Sequence, residues 1–238
     1  MATGETARCS RRWRRRPGAW RDASHPRKGK KAQRQESKKV KSVSLSDDFQ
    51  SRLQSPALTT ARLILRPPAL SDFPRWAEMM ADAEVARHIG GAQPPAVAWR
   101  ALMSMAGAWA LTGVAMFSAL ERATGRWVGR IGPWHPYGWP GAEVGWALHR
   151  DAWGRGYATE AAAACLDYAF DTLGWDEVIH CIAPDNLASQ RVAERLGARR
   201  RGMGRLPEPY HQEPVEIWGQ SRAEWRLHRQ RFSPSDSA

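Results

Sequence analysis

Cysteine is scarce in this chain: Cys9, Cys165 and Cys181 are the only three among 238 residues. An odd number at these spacings matches neither a disulfide framework nor a zinc motif. Cys165 and Cys181 read as small buried apolar residues. Long apolar runs are missing as well. No stretch reaches the roughly 18 to 20 apolar residues that span a bilayer, and the N-terminus has no apolar core of a secretory signal. A cytoplasmic protein without membrane contact is therefore expected. His135, His149, His180 and His211 fall at no metal-ligand spacing, and no metal is expected.

Acidic residues are sparse in one region only. Residues 1–50 hold 15 Lys/Arg against 5 Asp/Glu, a net of +10 out of +12 for the whole chain, so the remainder is close to neutral. That region, with Arg11-Arg12-Trp13-Arg14-Arg15-Arg16 and the cluster Arg27, Lys28, Lys30 and Lys31, has almost no aliphatic residues to bury and is expected to be disordered. Clustered cations release counterions on phosphate backbones, so weak nucleic-acid contact through residues 1–50 is one reading. A solvated extension without function is the other, and an Arg-rich targeting segment a third. The 42% apolar content suits one core. The expected organisation is a basic extension over 1–56, a folded domain over 57–228 and a short tail over 229–238.

Patterned structure begins at Leu58 to Arg66, a strand stopped by Pro67-Pro68. Ser71 is placed to cap a helix in which Phe73, Trp76, Ala77 and Met80 recur at helical spacing to about Ile89. A second helix is expected over Pro95 to Ala110. Strands over Val114 to Leu120 and Trp127 to Ile131 flank a turn at Ala123-Thr124-Gly125, the pattern of a hairpin. Gly132 to Gly141 is too rich in Pro and Gly for a regular element. Its aromatics could line an acceptor cleft or merely cover a core edge. Next, Ala142 to His149 alternates Val144, Trp146 and Leu148 with Glu143, Gly145 and Ala147, which puts one carboxylate on a face of small residues. A helix with the seam Ala158, Ala162, Cys165 and Ala169 ends near Gly174. A strand over Glu177 to Ala183 and a helix over Asn186 to Leu196 follow. A turn around Gly202 to Pro209 then precedes a last strand near Val215 to Gln220.

The most telling stretch is Trp153-Gly154-Arg155-Gly156-Tyr157-Ala158-Thr159-Glu160-Ala161. Two glycines remove side chains where backbone amides must approach an anion, and the unpaired amides of a helix's first turn add partial positive charge. A dinucleotide fingerprint would need glycine where Thr159 stands, and a P-loop would need Gly-Lys-Ser/Thr. Neither is present. An ordinary glycine turn into a helix remains the bland alternative.

Four motifs in order carry a family resemblance: Leu58-x-Thr60-x-Arg62-Leu63-x-Leu65-Arg66; Glu143-Val144-Gly145-Trp146-x-Leu148; the glycine turn itself; and Asn186-x-x-Ser189-x-x-Val192-x-x-x-Leu196-Gly197. Together they resemble the GNAT N-acetyltransferase superfamily, and within it the branch of ribosomal-protein N-terminal acetyltransferases of the RimJ and RimL type. Trp153 departs from the Gln or Arg that many members carry. The resemblance covers Leu58 to Trp225 and implies an α/β fold of mixed α+β type. The expected form is a single GNAT-like domain with a mixed, mostly antiparallel twisted sheet of about six to seven strands. About four helices would flank it, and its central strands would splay apart.

The same resemblance implies acetyl-CoA as co-substrate. Its pyrophosphate would lie on amides across Gly154, Arg155, Gly156, Ala158 and Thr159, with Trp153 and Tyr157 also in the cofactor site, and its pantetheine arm beside Ala147, Leu148, Asn186 and Ser189. Acetyl transfer needs a neutral amine, so Glu143 is the candidate base; orienting the acceptor is its alternative role. An amide of Trp146 or Ala147 could stabilise the oxyanion. Ser189 and Tyr210 are candidate donors to the departing thiolate, though Ser189 could equally help cap its helix with Asn186. Arg191, Arg195 and Arg199 could meet the 3′-phosphate or form a solvated face. The acceptor would be a protein N-terminus or a small-molecule amine, and the protein a monomer or homodimer. A non-catalytic acyl-CoA-binding module tethered to RNA or ribosome by the basic extension is the competing function.

Overall fold

The structure, a computed structural model, describes residues 56–230. The expectations for the basic extension over 1–50 and for the end of the C-terminal tail lie outside the described residues. Where one strand was expected at the start, the chain makes two, β1 (Leu58–Thr59) and β2 (Leu63–Arg66), folded back as an antiparallel pair. Thr60 causes the break: its amide donates to the Leu63 carbonyl, while its hydroxyl oxygen accepts from the Leu63 amide.

The helix expected from Phe73 to Ile89 is also interrupted. Helix α1 (Phe73–Ala81) ends at Asp82, whose extended backbone and side chain cap α2 (Ala83–Ala86) by accepting from the Glu84 and Val85 amides. Asp72, not Ser71, occupies the N-cap of α1. Its buried carboxylate is held by Arg66, the Ala69 amide and the Ser118 hydroxyl, which ties the start of α1 to the sheet. Helix α3 (Pro95–Thr112) ends at Gly113.

The hairpin expected around Gly125 forms between β3 (Phe117–Glu121) and β4 (Trp127–Trp134). Strand β4 takes in Gly132, Pro133 and Trp134, which composition had assigned to an irregular segment. Alternation explains why proline is tolerated: Pro133 points its missing N–H away from β5 (Glu143–Leu148) and past the end of β3, whose last partner is Phe117 opposite Ile131. No ladder bond is lost.

After β5 come α4 (Tyr157–Asp171), β6 (Glu177–Ile182), α5 (Leu187–Arg195), β7 (Arg199–Gly204), β8 (Val215–Ser221) and α6 (Arg222–Arg229). The sheet order is β1-β2-β3-β4-β5-β6-β8-β7, open at both edges and antiparallel everywhere except between β5 and β6. Eight strands and six α-helices thus stand among the described residues, against the six to seven and four expected. The additions include β7 and α6.

Helix α4 packs across the sheet through Ala161, Ala162, Cys165 and Ala169, all sealed from solvent. These small residues let the helix axis approach the strands closely, with Tyr168 reaching Phe117 edge-on at 5.6 Å. On the other face, Trp76 of α1 is fully buried beneath Arg130 of β4. Burying side chains of the size of Trp76, Phe117 or Phe170 contributes about 1.5 to 3 kcal/mol each. This core surrounds the centre of the sheet, where the ladder between β5 and β6 fails.

Candidate active site

That failure lies between β5 and β6. Their parallel pairing amounts to Glu143 opposite Ile179, where the Ile179 amide donates to the Ala142 carbonyl. A regular ladder would next send the Cys181 amide to the Val144 carbonyl. Two side chains intervene. The Cys181 amide donates instead to Glu143 Oε1 at 3.0 Å, and the Val144 carbonyl accepts from His180 Nδ1 at 2.6 Å. The backbone groups are satisfied while the strands separate, so the splay is wedged open by one carboxylate and one imidazole.

His180 is fully buried, and burial pushes its pKa down to about 4. It is therefore neutral at pH 7, with the proton on Nδ1 for the carbonyl. Sequence reading gave this histidine no role, since a single histidine on a strand carries no spacing signal.

Glu143 is 6% exposed. Loss of solvation drives its pKa up to about 7, against the opposing pull of the Cys181 amide and of Trp139, whose indole N–H reaches Oε2 at 2.6 Å. A carboxyl group poised near neutrality can take a proton from an ammonium group and release it again. Trp139 comes from the Pro/Gly/Trp segment that composition marked as a possible acceptor entrance. Tyr137 in the same segment is fully exposed.

Strand alternation decides which backbone groups face the opening. The His149 amide pairs with the Val128 carbonyl on β4, so Glu143, Gly145 and Ala147 direct their backbone toward β4. The edge turned to the splay is offered by Trp146 and Leu148. Ala147 enters the site through its small side chain alone. Of these edge groups the Leu148 carbonyl is engaged by the Trp153 indole N–H at 3.0 Å, which ties the glycine turn to the strand. Arg150 lies over the same indole, 5.9 Å from its ring centre.

The turn itself has the geometry of an anion cradle. Gly154 and Gly156 take φ of 72° and 74°, the left-handed region. Gly156 is the N-cap of α4, and the first intrahelical bond there runs from the Glu160 amide to the Gly156 carbonyl. The amides of Tyr157, Ala158 and Thr159 therefore lack helical partners. Those of Gly154, Arg155 and Gly156 have no acceptor among the described residues either.

Two carboxylates brace this turn from below, neither of which the sequence marked for that role. Glu121, on β3, accepts from the Arg155 side chain at 2.9 Å, the Tyr157 hydroxyl at 3.0 Å and Arg126 at 2.9 Å. The Arg126 hydrogen bond is the main reason its pKa falls to about 2. Glu160 accepts from the Thr60 hydroxyl, the Arg62 amide and Arg62 Nε, at 2.6, 2.8 and 2.7 Å. The first-strand motif and the glycine-turn motif are thus two halves of one hydrogen-bonded joint.

Ser189 and Asn186 meet at the start of α5. Asn186 Oδ1 accepts from the Ser189 amide as the helix cap, leaving its NH2 group for another acceptor. The Ser189 hydroxyl oxygen accepts from the Trp146 indole at 3.2 Å, so its own hydrogen remains to donate across the splay. Tyr210 stands apart from this pair. Its ring packs beside Gly90. Arg191 and Arg195 lie exposed on α5, while Arg199 starts β7. Among the described residues, no three or more His, Cys, Asp or Glu gather as a metal site.

The fold has known relatives. Residues 62–199 match the family model described as an acetyltransferase (GNAT) domain. An acetyltransferase from Agrobacterium tumefaciens of known structure is 32% identical, with a TM-score of 0.63 over 70% of this chain and 95% of that one. The uncharacterized protein YkkB of Bacillus subtilis is 40% identical over 87 residues, 36% of this chain. That match spans about half of YkkB, 51% of its length. The uncharacterized N-acetyltransferase p20 of Bacillus licheniformis is 29% identical over 68% of this chain and 92% of its own. With a family match over more than half its length and a solved relative covered almost end to end, the chain belongs to the GNAT acetyltransferase family.

Proposed function

We propose that the protein transfers an acetyl group from acetyl-CoA to a primary amine by direct attack within a ternary complex. The single observation that carries this reading is Glu143: a carboxyl group held near pKa 7 at the point where β5 and β6 part. The diphosphate of the donor fits the six amides from Gly154 to Thr159, because open space adjoins Gly154 and the turn presents donors without side chains. Its pantetheine arm suits the splay, where Trp146 and Leu148 offer a strand edge and Asn186 an uncommitted NH2 group.

In this reading Glu143 removes the proton from the acceptor ammonium. The amine then attacks the thioester carbonyl, and the developing oxyanion is met by the Trp146 amide, which faces the opening. Collapse of the tetrahedral intermediate breaks the C–S bond, and the second proton that the nitrogen sheds on becoming an amide passes to the departing thiolate, relayed by a hydroxyl group that gives up one proton and regains another. Ser189 is the better placed of the two candidates, since the Trp146 indole fixes its oxygen on the splay side. Tyr210, which packs beside Gly90, is the other candidate donor.

The acceptor options remain a protein N-terminus or a small molecule. A Vibrio cholerae neighbour whose description names a ribosomal-protein-serine acetyltransferase is only 19% identical, a likeness that speaks for fold alone. The decisive experiment incubates the protein with acetyl-CoA, follows coenzyme A release over amine and peptide panels, and identifies the acetylated product by mass. Calorimetric binding of coenzyme A with no release on any acceptor, and no effect of Glu143→Gln, would instead describe a non-catalytic binding module.

A further inference from the structure

Most arginines of the described fold have a visible purpose. Arg62, Arg66, Arg75, Arg126, Arg150 and Arg155 all meet carboxylates. Arg130 does not. It sits at the centre of β4, opposite Ala147, on the face that carries Glu143 and Gly145. Its guanidinium lies 5.5 Å over the Trp76 ring. Its Nε is sealed from solvent with no hydrogen-bond acceptor, and no ion pair reaches its other nitrogens among the described residues. Glu143, on the same face, is felt electrostatically.

A largely buried cation without a counter-ion is costly, because burial disfavours the charged form. For Arg130 it pulls the pKa below its usual range, though an arginine stays charged. Nothing in the packing requires a guanidinium here; a methionine would cover Trp76 as well. Such a group is retained where its partner arrives with the ligand. The diphosphate of the donor is provided for at the far end, by the glycine turn, which leaves the acceptor as the source of the charge.

We propose that Arg130 is the acceptor's anion site: the substrate is an amine bearing a carboxylate, which pairs with the Arg130 guanidinium while the amine faces Glu143. The inference rests on the acetyl-transfer reading above and adds a substrate class to it. One planar cation offers a two-pronged edge for a single negative charge, which suits a carboxylate better than a phosphate dianion. It also repels a second ammonium group, so diamines and polyamines are disfavoured. An amino acid and a peptide with an acidic residue beside its free N-terminus present the same chemistry.

The test uses the full chain with saturating acetyl-CoA. Acceptors are ω-amino carboxylates of increasing chain length, their carboxamides, the matching diamines, and peptides with Asp or Asn after a free N-terminus. The N-acetylated acids and amides are also titrated calorimetrically into the coenzyme A complex. The expected result is a preference of about 10- to 100-fold for acid over amide, the scale of one hydrogen bond to a charged group, with an optimum chain length. Whether free amino carboxylates or acidic peptides lead separates the two sources. Arg130→Met should bring the ratio close to one, and Arg130→Lys should keep part of it. Both should leave coenzyme A affinity unchanged, which certifies folding. Equal use of acid and amide, a preference for diamines, or a ratio that survives Arg130→Met would overturn the proposal. So would a complete lack of turnover and product binding in a protein that still binds coenzyme A. Loss of coenzyme A binding in the wild type would remove the acetyltransferase reading itself.

Discussion

Glu143 and His180 hold the splay open together, and they titrate against each other. An acid whose pKa rises on folding binds protons as the chain folds. The stability that this contributes is fully present below pH 4.5 and is lost as pH rises through the folded value near 7. At about 1.4 kcal/mol per pH unit, ionising Glu143 in place costs about 3 kcal/mol. His180 has the opposite sign. Its pKa falls from 6.5 to about 4, so its contribution is complete above pH 6.5 and disappears as pH falls toward 4, again about 3 kcal/mol. Between roughly pH 4.5 and 6.5 the two slopes nearly cancel in the wild type. Single substitutions should uncover them. Glu143→Gln resembles the protonated acid in shape and charge, so it should match the wild type near pH 4.5 and be more stable by about 3 kcal/mol at pH 8. His180→Gln retains a donor for Val144 without titrating, and should gain relative stability as pH falls. Urea unfolding of the three proteins at pH 4.5, 5.5, 6.5 and 8 measures this, with equal m-values as a control. Parallel profiles for wild type and Glu143→Gln would refute the reasoning, for they would mean that Glu143 pays nothing for ionising where it sits. The same variant should lose roughly 100- to 10,000-fold in kcat despite its greater stability at pH 8. Wild-type kcat/KM should rise with pH up to about 7 and then level off.

Three further outcomes concern the glycine turn. Gly156→Ala places a Cβ at φ 74° and should cost about 1 to 2 kcal/mol in local backbone energy; calorimetry should show coenzyme A affinity falling about tenfold with the rate for bound donor little changed. Glu121→Gln removes the common anchor of Arg126, Arg155 and Tyr157, and should raise KM for acetyl-CoA more than it lowers kcat, measured by initial rates. Glu160→Gln leaves the joint to β1 and β2 short of one acceptor charge and should destabilise the fold by about 1 to 3 kcal/mol, measured by urea unfolding at pH 7.

The glycine turn, the cap of α5 and the carboxylate at the start of β5 were legible because each depends on local rules. Glycines before an alanine-rich helix, Asn186 three residues before Ser189, and a charge on a face of small residues are all written within a few positions. The sheet's far edge was hidden for the converse reason. Strand β7 reads Arg199-Arg200-Arg201-Gly202-Met203-Gly204, is largely exposed, and pairs with β8 alone, so it shows no apolar alternation. Helix α6 buries Trp225 as its one anchor, too little for a periodic signal. Its capping box, Ser221 with Glu224, was nevertheless present in the sequence and could have marked its start. The braces at Glu121 and Glu160 were out of reach in another way: their partners lie 34 and 36 residues away for Glu121, and 98 and 100 for Glu160.

In the proposed mechanism Glu143 does two things that usually conflict. A structural carboxylate that accepts two hydrogen bonds, here from the Cys181 amide and the Trp139 indole, is normally pulled toward a low pKa, whereas a base for an amine works best near neutrality. The fold reconciles the two by depth. Burial outweighs both hydrogen bonds, and Arg130 acts only at a distance. Were Arg130 in direct contact, the carboxylate would be held ionised and would accept a proton poorly. Leaving Arg130 without a protein counter-ion keeps Glu143 titratable and keeps a positive site open on the same face. The wedge, the proposed base and the acceptor's proposed anchor are in that sense one electrostatic arrangement.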